Sequence, residues 1–428
     1  MEPSTETAGA ETGGRLGLFG GYGIELEYML VDRETLDVKP ICDELLRAVA
    51  GEWVGDVDDG PIAWSNELAL HVVELKTNGP APDLTELPER FGASLRRIDG
   101  LLRPLSARLL PTGMHPWMDP FSELRLWPHD NDVVYAAFDR IFDCTGHGWA
   151  NLQSMHVTLP FAEDRSPNGE FARLHAAIRI VLPLLPALAA SSPLIDGRIS
   201  GALDTRLDVY KNNSRTVPSV SGRVVPEAVF TRADYEREIL GRIYSDMQAH
   251  DPEGILRHEW CNARGAIARF DRSAIEIRVL DVQECPRADL AIAALVTATL
   301  KALVAERWTP LERQQGAALD TLAEQLERGI AQAESAPVPD PELLALLGRS
   351  AKDVTAGELW RDLAREVLPA GSPERNAFGP ALETILAQGP LARRILRALD
   401  GDASRPKLRE VYGRLADCLL AGELFVAR

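Results

Sequence analysis

The sequence GIELEYMLV at residues 23–31 alternates in polarity and is rich in strand-forming residues. Successive side chains of a β-strand point to opposite faces, so Glu25 and Glu27 share one face and the apolar residues between them share the other. One face is therefore predicted to pack into a core, while the other presents two carboxylates. This pattern predicts a half-buried strand of an antiparallel sheet.

Two further strand patterns also carry acidic residues. The sequence AIEIRVL at residues 274–280 places Glu276 and Arg278 on one face, and Asp281 follows directly. A strand predicted over residues 68–75 contains Glu74 within the apolar run VVEL. A polar face that is merely solvated would explain each of these strands taken singly.

The three strands together favour a metal site. Glutamate is a poor strand former, and the charges of Glu25 and Glu27 repel each other unless a cation lies between them. Hard divalent ions such as Mg²⁺ prefer carboxylate oxygens and bring the phosphates of ATP with them. Glu67 is a further candidate ligand, but it lies seven residues before Glu74 and cannot share its face on an unbroken strand. A bulge or loop between Glu67 and Glu74 is therefore expected.

The composition excludes several classes of protein. The 428 residues carry a formal net charge of −18, which argues against nucleic acid as a partner because phosphate binding needs a basic surface. No run approaches the ~18 uninterrupted apolar residues of a membrane helix, so no membrane association is expected. Five scattered cysteines without a CxxC pair predict a cytoplasmic location, where thiols stay reduced. Neither GxxxxGK nor GxGxxG occurs, so ATP must be held in another way.

The order of the predicted elements favours an α+β fold. Strands and helices interleave without the regular rhythm of βαβ units, which favours a mainly antiparallel sheet flanked by helices. Residues 1–20 begin with an acidic stretch rich in Gly, Ser and Thr, which predicts a disordered tail. Residues 21–308 hold the predicted strands and form the expected catalytic domain. Residues 309–428 are helical in composition and form the expected helical C-terminal region.

Six short motifs together resemble a known family. They occur in the order seen in glutamate–cysteine ligases, and they are Gly23–Glu27, Val73–Thr77, Thr112–Pro116, His156–Val157, Leu188–Pro193 and Ile275–Asp281. The sequence is most similar to the second glutamate–cysteine ligase family, the bacterial carboxylate–amine ligase branch, over roughly residues 20–308. The resemblance implies a catalytic fold like that of glutamine synthetase, in which a curved antiparallel sheet holds Mg²⁺, ATP and an acid substrate.

The resemblance also implies roles for individual residues. The residues that resemble the metal-binding glutamates are Glu25, Glu27, Glu74 and Glu276, and Glu67 lies where the superfamily often has another acidic ligand. His156 matches a strand histidine near the nucleotide and the metals. Arg278 resembles a phosphate contact, and Arg206 resembles an arginine that binds the acid substrate. Around Arg206 the spacing departs from that of the better-known ligases, which leaves the identity of the acid open.

The implied function is an ATP- and Mg²⁺-dependent carboxylate–amine ligase. A carboxylate is a poor acyl donor, so the γ-phosphoryl group of ATP would activate glutamate or a related acid as an acyl phosphate. An amine such as cysteine would then displace phosphate. Positioning and charge neutralisation by metal ions and by Arg or Lys drive phosphoryl transfer. The expected partners are a small-molecule acid and a small-molecule amine, and a homodimer is one expected assembly.

Several alternatives stay open at this point. The amine could belong to a peptide or a natural product, or the chain could be a non-catalytic nucleotide-binding protein on the same fold. Arg206 and Arg278 could form structural salt bridges, and His156 could be a satisfied histidine of the sheet. Cys144 near His147 could supply a thiol nucleophile, but the sequence offers no third group to orient them.

Overall fold

The computed structural model describes residues 16–162, 166–350 and 353–427. The predicted disordered tail falls mostly on residues 1–15, which lie outside the described residues. The last residues of that predicted segment, Leu16–Gly20, form a turn in which the Gly20 amide donates to the Gly17 carbonyl at 3.0 Å. The Leu18 amide also donates to Glu170 Oε2 at 3.0 Å.

A mainly antiparallel sheet organises the described chain, as the sequence predicts. Its strands are β1 (Gly23–Asp32), β2 (Asp56–Asp59), β3 (Ile62–Asn66), β4 (Val72–Thr77), β5 (Ala107–Leu110), β6 (Ser154–Pro160), β9 (Ala266–Arg269) and β10 (Ala274–Asp281), while β7 (Leu194–Ile195) and β8 (Arg198–Ile199) form a separate hairpin. The order across the large sheet is β2-β3-β4-β1-β6-β10-β9, and β5 also pairs with β1. Strand β1 therefore lies at the centre, between β4 and β6.

Helices cover the sheet. Those before residue 309 are α1 (Cys42–Ala50), α2 (Leu87–Leu102), α3 (Pro120–Glu123), α4 (Asp132–Phe142), α5 (His147–Ala150), α6 (Glu170–Val181), α7 (Pro186–Ala189), α8 (Thr205–Tyr210), α9 (Arg232–Tyr235), α10 (Gly241–Met247) and α11 (Pro286–Val304). Those after it are α12 (Leu311–Gln315), α13 (Leu319–Gln332), α14 (Pro341–Leu346), α15 (Ala356–Val367), α16 (Pro373–Gln388), α17 (Leu391–Leu399) and α18 (Arg405–Ala421). In the described residues, no helix is both long and apolar enough to cross a membrane.

One side of the sheet faces a continuous core. Ile24, Leu26 and Tyr28 of β1 are fully buried in one core cluster that also contains side chains of α2 and α11, so the apolar face predicted for this strand is confirmed. The same core takes in side chains from α13, α15 and α16, which belong to the predicted C-terminal region. The boundary at residue 308 stays a prediction, since apolar contacts run across it.

The strand predicted over residues 68–75 is wrong in its first half. Strand β4 begins only at Val72, and a tight turn precedes it, in which the Val72 amide donates to the Ala69 carbonyl at 2.9 Å. His71 is buried, and its Nε2 lies 2.8 Å from the Ala150 carbonyl. This turn supplies the loop between Glu67 and Glu74 that their spacing requires.

Candidate active site

Four carboxylates meet on the face of the sheet opposite the core. Glu25 and Glu27 come from β1, Glu74 comes from β4, and Glu67 comes from the loop before β4. We call these four residues the carboxylate cluster. The strand register explains their proximity, because Glu27 lies directly opposite Glu74, and Glu25 lies opposite His156 of β6.

The cluster forms two groups with metal-ligand spacing. Ligand atoms of Glu27, Glu67 and Glu74 all lie within 4.8 Å of one another, and so do those of Glu25, Glu74 and His156. Glu74 belongs to both groups, so two cations could share it as a bridging ligand. Oxygen-rich sites of this kind suit Mg²⁺, which is usually held by one or two carboxylates together with substrate phosphates.

Glu67 carries the least compensated charge of the cluster. In the part of the chain that the structure describes, no Lys, Arg or His nitrogen lies within 4.0 Å of its carboxylate. Burial raises the pKa of Glu67 well above its ordinary value, and the charges of Glu74 and Glu27 raise it further. A bound cation would reverse this effect, because an opposite charge nearby favours the ionised form.

Glu27 and Glu25 have different surroundings. Glu27 Oε2 accepts hydrogen bonds from the amide and the hydroxyl of Ser154 at 2.7 and 3.0 Å. Burial nonetheless raises the pKa of Glu27. Burial acts on Glu25 in the same sense, but the hydrogen bond and the charge of His156, together with the charge of Lys76, outweigh it and lower the pKa of Glu25.

His156 lies among these carboxylates and acts as their cation. Its Nδ1 is 2.7 Å from Glu25 Oε2, and its Nε2 is 3.7 Å from Glu27 Oε1. Burial opposes its charge, but the hydrogen bond with Glu25 and the charges of Glu27 and Glu276 raise the pKa of His156 to about 9. The structure therefore places His156 beside the predicted metal ligands.

Lys76 also belongs to this site, although the sequence reasoning did not assign it a role. Its Nζ donates to Glu74 Oε1 at 3.0 Å and to Ser65 Oγ at 2.8 Å. Lys76 lies opposite Glu25 in the register of β1 and β4. The signal was available in the sequence, since residues i and i+2 of a strand share a face and Lys76 follows Glu74 by two.

Glu276 lies beside the cluster and outside both groups of close ligand atoms among the described residues. Its Oε1 is 2.8 Å from Arg278 Nε and 3.8 Å from His156 Nδ1. Although Glu276 is buried, the charges of Arg278 and His156 lower its pKa. Its role as a metal ligand stays a prediction, and its present partner is the arginine that follows it on β10.

Arg206 forms a buried ion pair with Asp281. Its Nε donates to Asp281 Oδ1 at 2.5 Å, and the side chains of both residues are almost fully buried. Asp281 Oδ2 in turn accepts hydrogen bonds from the Ser191 amide and the Ser192 hydroxyl, both at 2.8 Å. A Cβ added at Gly113 would lie 2.4 Å from Asp281 Cγ, so this position has no room for a side chain. The motifs Thr112–Pro116 and Leu188–Pro193 thus surround Asp281, which in turn positions Arg206.

A cavity of about 450 Å³ opens in front of Arg206, and we call it the aromatic cavity. Its charged wall comes from the sheet, the loop before β4 and α8, and it includes Glu27, Glu67, His156, Arg206 and Arg278. Other elements contribute an aromatic wall, which includes Tyr135, Phe138, Trp149 and Trp260. The aromatic wall comes from α4, α5 and the short turn Glu259–Cys261, and the sequence reasoning did not predict it.

A second cavity of about 500 Å³ reaches the cluster from another direction, and we call it the lysine cavity. Its lining includes Gly23, Glu25, Lys76, Thr77, Thr158 and Arg272. Glu25 borders the lysine cavity, whereas Glu27 and Glu67 border the aromatic cavity. The carboxylate cluster thus lies where two separate binding spaces approach each other.

The sequence matches a known protein family. Residues 22–414 match the family model of glutamate–cysteine ligase family 2. The chain belongs to glutamate–cysteine ligase family 2. The match runs beyond residue 308, so it covers more of the chain than the resemblance drawn from the six motifs.

The chain is also similar in sequence to proteins from other organisms. An uncharacterized protein of Archaeoglobus fulgidus is 30% identical over 404 residues, which cover 94% of this chain and all of the relative. A Rubrobacter xylanophilus protein named "Putative glutamate–cysteine ligase 2-3" is 31% identical over 194 residues, 44% of this chain and 47% of its own. The alignment thus spans about half the length of this relative.

The fold is that of a solved ligase. The crystal structure of glutamate–cysteine ligase from Francisella tularensis in complex with AMP superposes with a TM-score of 0.57 at 12% identity, covering 94% of this chain and 89% of that one. Membership of glutamate–cysteine ligase family 2 makes the chain an ATP-dependent ligase that forms an amide bond. The non-catalytic alternative is thereby set aside.

Proposed function

We propose that this ligase uses Mg²⁺ and ATP to activate the carboxylate of glutamate or a related acid and joins that acid to an amine. One observation supports this proposal above the others. Glu67 lies against Glu27 and Glu74 with no Lys, Arg or His nitrogen of the described residues within 4.0 Å, in a cluster whose members border two different cavities. Such an arrangement suits metal ions bound between ATP phosphates in one cavity and a substrate in the other.

The residues present fit a magnesium site. Glu27, Glu67 and Glu74 would hold one ion, and Glu25, Glu74 and His156 offer a second group, with Glu276 nearby. When bound, Mg²⁺ neutralises phosphate charge and polarises the transferring phosphoryl group. His156 would have to lose its proton to serve as a ligand, so in the protonated form it instead balances Glu25 and Glu27.

We assign the nucleotide to the lysine cavity. Lys76 and Arg272 supply positive charge there, and Glu25 connects this cavity to the carboxylate cluster. Lys76 now bonds to Glu74, and a metal at Glu74 would free its ammonium group to contact a phosphate. Arg278 lies on the aromatic side of the cluster, where its guanidinium can meet the phosphoryl group as it leaves ATP.

We assign the acid to the charged wall of the aromatic cavity. Arg206 reaches this wall with its Nε bound to Asp281 and its Nη2 donating to the Arg278 carbonyl at 3.4 Å, and the remaining N–H groups of its terminal nitrogens can bind a carboxylate. Its buried ion pair fixes the guanidinium before the acid arrives. The second carboxylate of the acid would then point toward the cluster, where ATP can phosphorylate it.

The second step joins the acid to the amine. The nitrogen lone pair attacks the acyl carbon, and the bond from that carbon to the phosphate oxygen breaks. Inorganic phosphate leaves with the electron pair, and the nitrogen releases a proton to solvent. Because the nucleotide occupies the lysine cavity, the amine must enter through the aromatic cavity.

A phosphate-release screen tests this proposal. The enzyme is incubated with ATP, Mg²⁺, one candidate acid and one candidate amine, and the amide is identified by mass spectrometry. We expect release that requires both substrates and stops when EDTA removes the metal. Release that persists in EDTA, or that yields no amide with any acid, would contradict the proposal. The cytoplasmic location and the homodimer stay predictions, which localisation and light scattering would test.

A further inference from the structure

The aromatic cavity has two chemically different walls. The charged residues of its lining lie on the sheet, in the loop before β4 and on α8, and two of them, Glu27 and Glu67, belong to the carboxylate cluster. The wall formed by α4, α5 and the Glu259–Cys261 turn is built from apolar and aromatic side chains, with Tyr135, Phe138, Trp149 and Trp260 as the largest. The charged wall is assigned to the acid, so the aromatic wall is left to receive the amine.

The aromatic wall is one continuous surface. The Phe138 ring centroid lies 5.3 Å from that of Trp149 and 5.9 Å from that of Trp260. All three rings pack against the core on one side and remain half-buried. Apolar surface that stays open toward a cavity is what a ligand with an apolar group would cover.

The volume of the cavity points the same way. Its volume of about 450 Å³ holds the acid at the charged wall as well as the amine, and it falls within the range of about 300–1,000 Å³ that is typical of ligand pockets. Cysteine would place only one methylene and a thiol beyond its amino acid backbone. Such a side chain would leave most of the rings of Phe138 and Trp260 uncovered.

Polar groups on this wall are few, and one lacks a partner. Trp149 Nε1 is buried and has no hydrogen-bond partner among the described residues. The Tyr135 hydroxyl accepts a hydrogen bond from Asn66 Nδ2 at 3.0 Å, which fixes the ring beside Glu67. This wall carries no charged lining residue in the described chain, so it suits an uncharged ring better than an acidic or basic side chain.

We propose that the amine substrate carries an aryl group, which packs against Phe138, Trp149 and Trp260 while its nitrogen faces the activated acid. This inference rests on the proposed function and deepens it, because it names the chemical class of the second substrate. Two sources share this chemistry, namely a free arylalkylamine and the amino group of an aromatic amino acid or peptide. The carboxyl group distinguishes them, and the experiment includes both.

The test compares amines of matched reactivity. Wild-type enzyme is assayed with ATP, Mg²⁺ and the best acid from the screen. Each assay contains one amine, which is ethylamine, cysteine, 2-phenylethylamine, phenylalanine amide or phenylalanine. We expect kcat/KM for the best aryl amine to exceed that for ethylamine and cysteine by about 10-fold or more, since hydrophobic pockets discriminate on this scale. Equal or better use of cysteine would overturn the inference while leaving the ligase proposal intact.

Substitutions in the aromatic wall test whether this wall causes the selectivity for aryl amines. Trp260→Ala should reduce kcat/KM for the aryl amine about 10-fold, change that for ethylamine little, and leave KM for ATP unchanged. Phe138→Leu keeps an apolar side chain and should show the same selectivity loss to a smaller degree, which guards against misfolding of the first variant. The matched control is Trp53→Ala, because Trp53 is 45% exposed, stacks on His129 and does not line the cavity.

The possible failures are distinguishable. If Trp260→Ala lowers all amines equally, or none of them, the aryl site is wrong and the ligase proposal stands. If no acid and amine pair releases phosphate or forms an amide, the proposed function is wrong and the inference falls with it.

Discussion

Two buried ionic sites in this protein differ in their charge balance. Glu284 and Arg394 form a closed pair, with no exposed side-chain surface on either residue. Arg394 Nη1 donates to Glu284 Oε1 and, at 2.7 Å, to the Phe425 carbonyl, and the Phe425 amide donates back to Glu284 at 3.1 Å. In the carboxylate cluster, in contrast, Glu67 lies beside two other acids, and no Lys, Arg or His nitrogen of the described residues lies within 4.0 Å of its carboxylate. Removing one partner of a balanced buried pair costs stability, whereas we propose that a bound cation completes the unbalanced cluster.

The largest expected effect comes from breaking the closed pair. Arg394→Ala leaves Glu284 buried without its counterion, so we expect the free energy of unfolding to fall by about 3–5 kcal/mol. Neither residue lines the two cavities, so the turnover number of the folded fraction should change little. Urea titration measures the first effect, and active-site-normalised phosphate release measures the second.

A surface pair supplies the control. Arg365 lies 2.9 Å from Asp362, with 75% and 54% of their side chains exposed. Arg365→Ala should therefore cost less than about 1 kcal/mol. A loss of turnover in folded Arg394→Ala, without a loss of stability, would contradict the distinction between the two sites.

The next effect comes from the cluster itself. Glu74→Gln keeps the shape of the side chain and can still accept from Ser65 and Lys76, but it removes a charge shared by both proposed metal groups. We expect turnover to fall about 100-fold or more, as when one stabilising contact to a transition state is lost. Stability in the absence of metal should hold or rise, because repulsion from Glu27 and Glu67 weakens.

This prediction has a simple control and a clear contrary result. Glu342→Gln removes an exposed carboxylate that pairs with Arg313, and it should leave turnover unchanged. Phosphate release at saturating Mg²⁺ and thermal unfolding without metal are measured for both variants. Turnover of Glu74→Gln within about twofold of wild type would remove the cluster from the mechanism.

Much of the carboxylate cluster could be predicted from the sequence. The alternation of β1 predicts that Glu25 and Glu27 share a face, and the spacing of Glu67 from Glu74 predicts the loop between them. Local periodicity carries such information, because side-chain direction in a strand depends on the position of the residue alone. Lys76 was equally accessible from its position two residues after Glu74.

Other parts of the site depend on tertiary contacts. Arg206 and Asp281 pair across 75 positions of sequence, and the register of β10 shifts between Ile277 and Leu280. A bulge of this kind breaks the alternation, so the face of Asp281 could not be read from the strand pattern. The aromatic wall is harder still, because Phe138 and Trp260 come from separate segments whose packing no local pattern encodes.

A smaller loss of activity is expected from substitution of Arg206, which has features of the closed pair and of the substrate site. It has a buried partner in Asp281, as in a closed pair, yet it also lines the aromatic cavity. Arg206→Lys keeps a charge for Asp281 but loses the second nitrogen for the acid. We expect KM for the acid to rise about 10-fold, the lower end of what one charged hydrogen bond contributes, and KM for ATP to stay unchanged.

Steady-state kinetics with each substrate varied in turn will separate the possible roles of Arg206. A rise in KM for ATP instead would make it a phosphate contact. No change in either KM, together with lower stability, would make it a purely structural partner of Asp281. Arg206→Ala is less informative, because it leaves Asp281 buried and unpaired.

The smallest effect should come from Cys144, a buried group that has no charge to balance. Burial raises the pKa of its thiol, and the charges of Asp139 and Asp143 add to the shift, so the reactive thiolate is scarce near neutral pH. His147 is already engaged, with Nε2 3.0 Å from Asp196 Oδ1 and Nδ1 3.1 Å from Asn151 Nδ2. Cys144→Ser should therefore keep the ligation rate within about twofold, since the acyl phosphate route needs no protein nucleophile. Rapid-quench mass spectrometry should find no acyl group on the wild-type protein. The contrary result would be a folded Cys144→Ser variant without activity, together with an acyl group trapped on the wild-type protein. That result would replace the acyl phosphate with a thioester intermediate, and the carboxylate cluster would then only bind ATP.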